Sequence, residues 1–220
     1  MKRMITKLKS KIFKSEPDTE EVFTRLYQKN CWDSEESSSG HGSTLDQTKH
    51  LRGELQILFK EFNIKSILDI PCGDFNWMKE VNLTEIDYVG ADIVEPLIQS
   101  NQKKYQRAEG CKFIQMDIIT SRLPEVDLIL VRDCFVHLSI KEIKKAVKNI
   151  KKSGSKYLLT TTFTNDRENI DSKRGGWRPL NLQKIPLNFP VPVKIINEKC
   201  TEGNGKYADK SMALWKINEL

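Results

Sequence analysis

Five carboxylates and a histidine fall where apolar runs give way to turns. Asp69 lies in the run 66–70, and the tight turn Pro71-Cys72-Gly73-Asp74 follows it. Asp92 closes a second run, 88–92, 23 residues after Asp69. Asp117 and Asp133 follow two more runs, 112–115 and 126–131, and His137 comes shortly after Asp133. In open parallel sheets, ligands sit just beyond the carboxyl ends of the strands, so these side chains are expected at one mouth. A carboxylate at the position of Asp92 suits the hydroxyls of a ribose. The turn is not GxGxxG, and a pyrophosphate needs close approach to a bare backbone. Asp69, Asp74 and the bulky Phe75 all argue against NAD or FAD. A ligand with a ribose, an adenine and a cationic, amino-bearing end would welcome the same acids, and S-adenosylmethionine has that character.

The elements that would position these residues follow from hydrophobic periodicity. Strands are expected over 66–70, 88–92, 112–115, 126–131 and 157–163, and the run 126–131 is the most apolar and so central. Helices are expected over 19–30, 44–62, 73–81, 95–106 and from Ser139, where Ser139-Ile140-Lys141-Glu142 spells a capping box. Leu51, Leu55, Leu58 and Phe59 form the buried stripe of the second helix. The alternation predicts an α/β fold: five strand–helix units in a parallel, doubly wound sheet with right-handed crossovers. Two last strands, 191–197 and 211–217, are too closely joined for a crossover helix and should pair antiparallel. The seven strands form a mostly parallel sheet with a C-terminal antiparallel hairpin. The polar stretch 164–190 reads as a long ordered loop, and Ser37-Ser38-Ser39-Gly40-His41-Gly42-Ser43 as a linker or a lid over the site. The chain divides into a basic N-terminal segment (1–15), N-terminal helices with a possible lid (16–62) and a Rossmann-like core (63–220).

Bulk composition narrows the function classes. Residues 1–15 hold six of the 36 Lys and Arg and no acid, which leaves 30 bases against 30 acids in the rest of the chain. A formally neutral body argues against nucleic acid as a partner. The basic segment allows at most weak contact with an anionic membrane surface. No apolar run is long enough to span a bilayer, and no apolar stretch behind the basic start suggests a secretory signal. The five cysteines show no CxxC or CxxxC spacing, and no histidine adjoins one. A metal site is therefore not expected, and reduced thiols in a cytoplasmic protein fit best. Nothing in the pattern specifies an oligomer.

The series Ile67-Leu68-Asp69-Ile70-Pro71-Cys72-Gly73, Gly90-Ala91-Asp92-Ile93, Met116-Asp117-Ile118 and Asp127-Leu128-Ile129-Leu130-Val131-Arg132-Asp133 resembles the successive motifs of class I S-adenosylmethionine-dependent methyltransferases. The terminal hairpin matches that family's sheet. Pro71-Cys72-Gly73-Asp74-Phe75-Asn76-Trp77, together with Gly40-His41-Gly42-Ser43, is similar to a subgroup of small bacterial methyltransferases. Pro71 and Phe75 stand where the wider family usually has glycine.

The resemblance implies a Rossmann-like methyltransferase fold and S-adenosyl-L-methionine as cofactor. It also implies roles. Gly73, with Pro71 and Asp74 in the same turn, would bring the backbone close to the cofactor, and Asp69 would orient its amino group. Asp92, followed by Ile93, would accept hydrogen bonds from the ribose. Asp117 would read the adenine amino group, with Ile118 packed on the ring, and Arg132 and Asp133 would line the methionine end.

An alcohol acceptor needs a base near its proton. His137 is the best placed histidine and Asp133 the rival, while His41 and His50 read as solvated surface residues. Trp32, Trp177, Arg178 and Asn181 are the candidates for binding the acceptor. The expected activity is methyl transfer to a small-molecule or sugar-like acceptor. A protein or RNA methyltransferase and a non-catalytic binding subunit are the alternatives.

Overall fold

The computed structural model describes residues 18–106 and 110–220. The basic segment 1–15 lies outside them. Seven strands form one sheet: β1 (Ser66–Asp69), β2 (Asp87–Asp92), β3 (Cys111–Gln115), β4 (Leu128–Val131), β5 (Tyr157–Phe163), β6 (Lys194–Asn197) and β7 (Lys210–Lys216). Their order is β3-β2-β1-β4-β5-β7-β6. The first five are parallel, and β7 runs antiparallel to both β5 and β6. The run expected to be central is central, since β4 has three strands on either side. The chain winds outward from β1 to β3 and then restarts at β4. The crevice between the ends of β1 and β4 is therefore the topological switch point where such sheets bind ligands.

Four α-helices are present: α1 (Thr19–Gln28), α2 (Leu45–Glu61), α3 (Glu95–Lys104) and α4 (Ile140–Lys152). Each starts or stops where its sequence says it should. Thr44 caps α2 by accepting from the Gln47 N–H. Both arms of the Ser139/Glu142 capping box form at α4, a device whose Ser alone stabilises by about 1 kcal/mol. The stripe Leu51, Leu55, Leu58 and Phe59 of α2 is buried on one face of the sheet, and Ile143, Ala146 and Ile150 of α4 are buried on the other.

The expectation of five strand–helix units is corrected. Residues 73–81 form turns and a single turn of 3-10 helix, Met78–Glu80, instead of a helix. The reason lies in burial. Phe75, Asn76, Trp77 and Met78 are consecutive and all buried, whereas a surface helix buries one stripe. Phe75 sits at φ 60° and drops its ring among Tyr88, Tyr105 and Phe113, at centroid distances of 5.2, 5.0 and 5.1 Å. Among the described residues, α-helices occupy only the β2–β3 and β4–β5 crossovers. The stretch 164–193 has no regular element but is anchored, with Leu180, Leu182 and Phe189 in the core.

Candidate active site

An open-sided cleft with about 1100 Å³ of empty space lies over the switch point. It brings together Asp69, Pro71, Gly73, Asp74, Asp92, Ile93, Asp117, Ile118, Arg132, Asp133, His137 and Trp32. Phe23 and Tyr27 of α1 form its outer wall.

The turn after β1 is shaped by what lies across it. Gly73 has φ 55°, and a Cβ there would stand 2.1 Å from the Ser39 hydroxyl oxygen. The Ser/Gly stretch is thus a strap lying on the turn. Asp74 holds it: its carboxylate accepts from the Ser38 N–H at 2.8 Å and from the Ser37, Ser38 and Ser39 hydroxyls at 3.0, 3.3 and 3.4 Å. The Asn76 amide donates to Ser43 O and to Glu36 Oε1, and Arg132 donates to Gly42 O at 2.8 Å. Asp74, expected at the cofactor, lines the cleft while its carboxylate clasps the strap.

Two buried acids sit beneath the strap. Asp69 accepts from the Tyr88 hydroxyl at 2.6 Å. Burial pushes its carboxyl up to about 7, helped by the nearby Asp92 and opposed by the Tyr88 hydrogen bond and Arg132. Asp92 accepts from the N–H of Gly73 at 3.2 Å and of Val94 at 3.0 Å. Burial raises it to about 6 against those backbone donors. One oxygen thus ties the end of β2 to the turn after β1, and the other shapes the entry to α3. Asp117 lines the cleft but is engaged by its own turn, accepting from the Ile119 N–H at 2.8 Å and the Thr120 hydroxyl at 2.7 Å.

Beyond β4 the site is an ionic quartet, with Arg132, Glu198 and Lys210 buried and Asp133 partly exposed. Arg132 donates through Nε and Nη2 to Glu198 Oε2, at 3.1 and 2.6 Å. It also stacks over Trp77, 5.3 Å from the ring centre. Lys210 Nζ lies 2.6 Å from Asp133 Oδ2 and 3.9 Å from Glu198 Oε2. Burial alone would raise Asp133, but Lys210 and Arg132 outweigh it and hold the carboxyl at about 2. Asp133 is therefore a weaker proton acceptor than an ordinary carboxylate.

His137 is built differently. Its Nδ1 lies 3.0 Å from Gly176 O. A carbonyl only accepts, so Nδ1 carries the hydrogen and Nε2 keeps its lone pair. No hydrogen bond to Nε2 forms among the described residues. Burial lowers the imidazole below its usual range, against the opposing pull of the Gly176 carbonyl and Asp133. A neutral ring with a free basic nitrogen borders the cleft, with Trp32 edge-on at 6.3 Å.

Residues 67–154 match the family model of a methyltransferase domain. The fold is similar to that of the N-methyltransferase NodS from Bradyrhizobium japonicum, crystallised with S-adenosyl-l-homocysteine (TM-score 0.64, 13% identity, 90% of this chain and 98% of that one). It is also similar to magnesium protoporphyrin IX methyltransferase from Synechocystis with bound SAM (TM-score 0.62, 11% identity, 92% and 98%). A third likeness is to the glycopeptide N-methyltransferase MtfA, complexed with sinefungin (TM-score 0.55, 8% identity, 74% and 85%). At these identities the likeness is one of fold. A comparison with curated proteins finds no match.

Three residues expected to bind the acceptor lie outside the lining of the cleft. Arg178 is buried and donates through Nη1 to Phe135 O and Val136 O, at 3.0 and 2.8 Å. It fastens the 164–193 loop to the turn that carries His137. Asn181 is consumed within that loop, donating to Asn165 O and accepting from the Gln183 N–H. Trp177 is half exposed and packs edge-on against Tyr207 and Phe163 at 4.9 and 6.2 Å. Other residues that complete the site carry no signal in the sequence. Tyr88 was seen only as a strand residue, and Glu198 and Lys210 lie more than 60 positions from the groups they neutralise. No local signal announces such partners. Among the described residues no His, Cys, Asp and Glu cluster could hold a metal ion, and no helix is long and apolar enough to cross a membrane.

Proposed function

We propose that the protein transfers a methyl group from S-adenosylmethionine to a hydroxyl or amine of a small-molecule or sugar-like acceptor, with His137 as general base. The observation that carries this reading is the pairing, in one cleft, of buried acids with a neutral histidine whose Nε2 is free. The donor set suits a cationic adenosyl ligand. Five carboxylates border the cleft, and its one arginine is already paired with Glu198. A pyrophosphate would meet uncompensated negative charge.

When bound, the cofactor supplies an electrophilic methyl group on a positively charged sulfur. The remaining work belongs to the chain. Asp92 accepts from ribose hydroxyls and Asp69 from the amino group, with Tyr88 fixing the Asp69 carboxylate. Ile118, buried beside the cleft, packs against the base. The strap and α1 exclude water, which would compete with the acceptor. The acceptor's O–H or N–H would point at His137 Nε2, which would take the proton as the acceptor bonds to the methyl carbon and the carbon–sulfur bond breaks to leave a neutral thioether. The resulting imidazolium is stabilised by the Gly176 carbonyl on Nδ1 and by the negative charge of Asp133. Cytoplasmic residence, with the cysteines reduced, belongs to the same proposal.

Calorimetry with S-adenosylmethionine, S-adenosylhomocysteine and NAD tests the cofactor. Micromolar-range binding of the first two and none of the third is expected. Asp92→Ala should weaken both by about 10- to 100-fold, the scale of hydrogen bonds to a charged group. Unchanged affinity in that variant would remove Asp92 from the ribose.

A further inference from the structure

The outer face of α4 is chemically unlike the rest of this formally neutral body. Lys141, Lys144, Lys145, Lys148, Lys151 and Lys152 are all exposed along it. Lys141, Lys144, Lys145 and Lys148 line one shallow groove with Ile140 and Asp171, and none of these four has an ion-pair partner among the described residues. The helix's single acid, Glu142, is turned inward and neutralised by Arg174. The segregation is therefore local: lysines outward, the acid inward.

A second feature adjoins this stripe. Asp171 accepts from the Ile140 N–H at 2.8 Å, which fixes residue 170 beside the start of α4. Ile170 is 72% exposed there. The Asn169 amide donates to the carbonyls of Lys184 and Ile185, which brings Ile185, 75% exposed, to the same place. Two large aliphatic side chains thus stand in solvent next to a row of unpaired lysines. Of the acids nearby, Asp166 is paired with Lys184 at 2.8 Å, Asp171 is used at the helix start, and Glu168 alone is exposed without an ion-pair partner.

We propose that this face docks on an anionic lipid bilayer. The lysines meet the headgroup charge, and Ile170 and Ile185 enter the boundary beneath it. The chemistry favours a membrane over RNA. The row contains lysine and no arginine fork, and no aromatic ring in it offers a base a stacking surface. Protruding isoleucines gain nothing from a phosphate backbone and gain directly from acyl chains. The face also lies directly behind the site. Arg178 donates both to Ile170 O and to the carbonyls of Phe135 and Val136, so a docked protein holds the His137 turn beside the headgroup layer.

Flotation of the full chain with phosphatidylcholine vesicles, with and without phosphatidylglycerol, tests this. Binding is expected only with the anionic lipid and should weaken as salt rises. The variant Lys141→Gln/Lys144→Gln/Lys145→Gln/Lys148→Gln should lose roughly fivefold per lysine, on the order of 100-fold or more in all. Ile170→Ser/Ile185→Ser should lose about tenfold or more while keeping the salt dependence. A variant with the six bases of residues 1–15 changed to Gln separates the tail, and it should keep the lysine and isoleucine effects. Calorimetric cofactor affinity, unchanged in every variant, shows that each is folded. Wild-type vesicle binding by the quadruple variant would overturn the proposal. So would tighter binding of a single-stranded RNA that depends on the same lysines but not on the isoleucines.

Discussion

The two halves of the cleft are stabilised in opposite ways. On the β1–β2 side, Asp69 and Asp92 are buried among neutral donors, Tyr88 and backbone N–H groups, and both carboxyls are pushed up, to about 7 and about 6. On the β4–β7 side, buried Glu198 and partly buried Asp133 face Lys210 and Arg132, and Asp133 is held down at about 2. The first half is short of positive charge and waits for a cation. The second has its charges internally balanced and serves as a rigid wall, so that the only adjustable group near it is His137. The same residue type thus has two uses, set by whether a base lies beside it.

The contrast can be broken most severely at His137. His137→Gln keeps an amide near the Gly176 carbonyl but has no basic nitrogen, so turnover should fall by about 100- to 10,000-fold. Cofactor affinity by calorimetry should stay within about twofold. Wild-type turnover would make His137 a structural residue. In the wild-type protein, the proposed role of His137 requires turnover to fall as pH drops below the usual histidine range, because the imidazole is neutral above its lowered value.

The balanced wall is tested next. Glu198→Ala leaves Arg132 and Lys210 facing each other across a buried site and should destabilise by about 3–5 kcal/mol. Urea unfolding measures this, and a loss under about 1 kcal/mol would show that the quartet is looser than drawn.

On the unbalanced side the sign reverses. The folded protein holds a proton on Asp69 up to about pH 7, whereas the unfolded chain releases it near pH 4. Its contribution to stability therefore falls as pH rises between those values. Asp69→Asn removes that loss. The ligand-free variant should match wild type near pH 4 and exceed it at pH 8, by at most about 4 kcal/mol. Thermal melts across pH measure this, and parallel profiles would refute the assignment. The smallest effect concerns the strap. Gly73→Ala should cost about 1–3 kcal/mol from its positive φ and the contact with Ser39. Ser39→Gly should recover the part due to the contact, which a double-mutant cycle separates from backbone strain.

What the sequence revealed follows the same division. Asp69 and Asp92 were legible because a strand's direction alone delivers its last side chain to the sheet's edge. Hydrophobic periodicity gave β5 residue for residue, Tyr157–Phe163, and the capping box placed the start of α4. Residues 73–81 misled because a run that begins with turn residues and continues apolar looks like a helix start. The distinguishing fact, that Phe75 through Met78 are all buried, depends on Tyr88, Tyr105 and Phe113 arriving from elsewhere. The acceptor side was least legible. Asp133 resembles a base until Lys210, 77 positions away, is beside it. Arg178 resembles an anion binder until its carbonyl partners are seen.

The elevated Asp69 carboxyl has one more consequence. Near neutral pH part of the population carries a proton on Asp69, as the neutral carboxylic acid. A cationic ligand arriving there must displace that proton. Association is then an exchange of cations, and the released proton goes to the buffer. The heat of binding should consequently vary with the buffer's own ionisation enthalpy, and that dependence should vanish in Asp69→Asn.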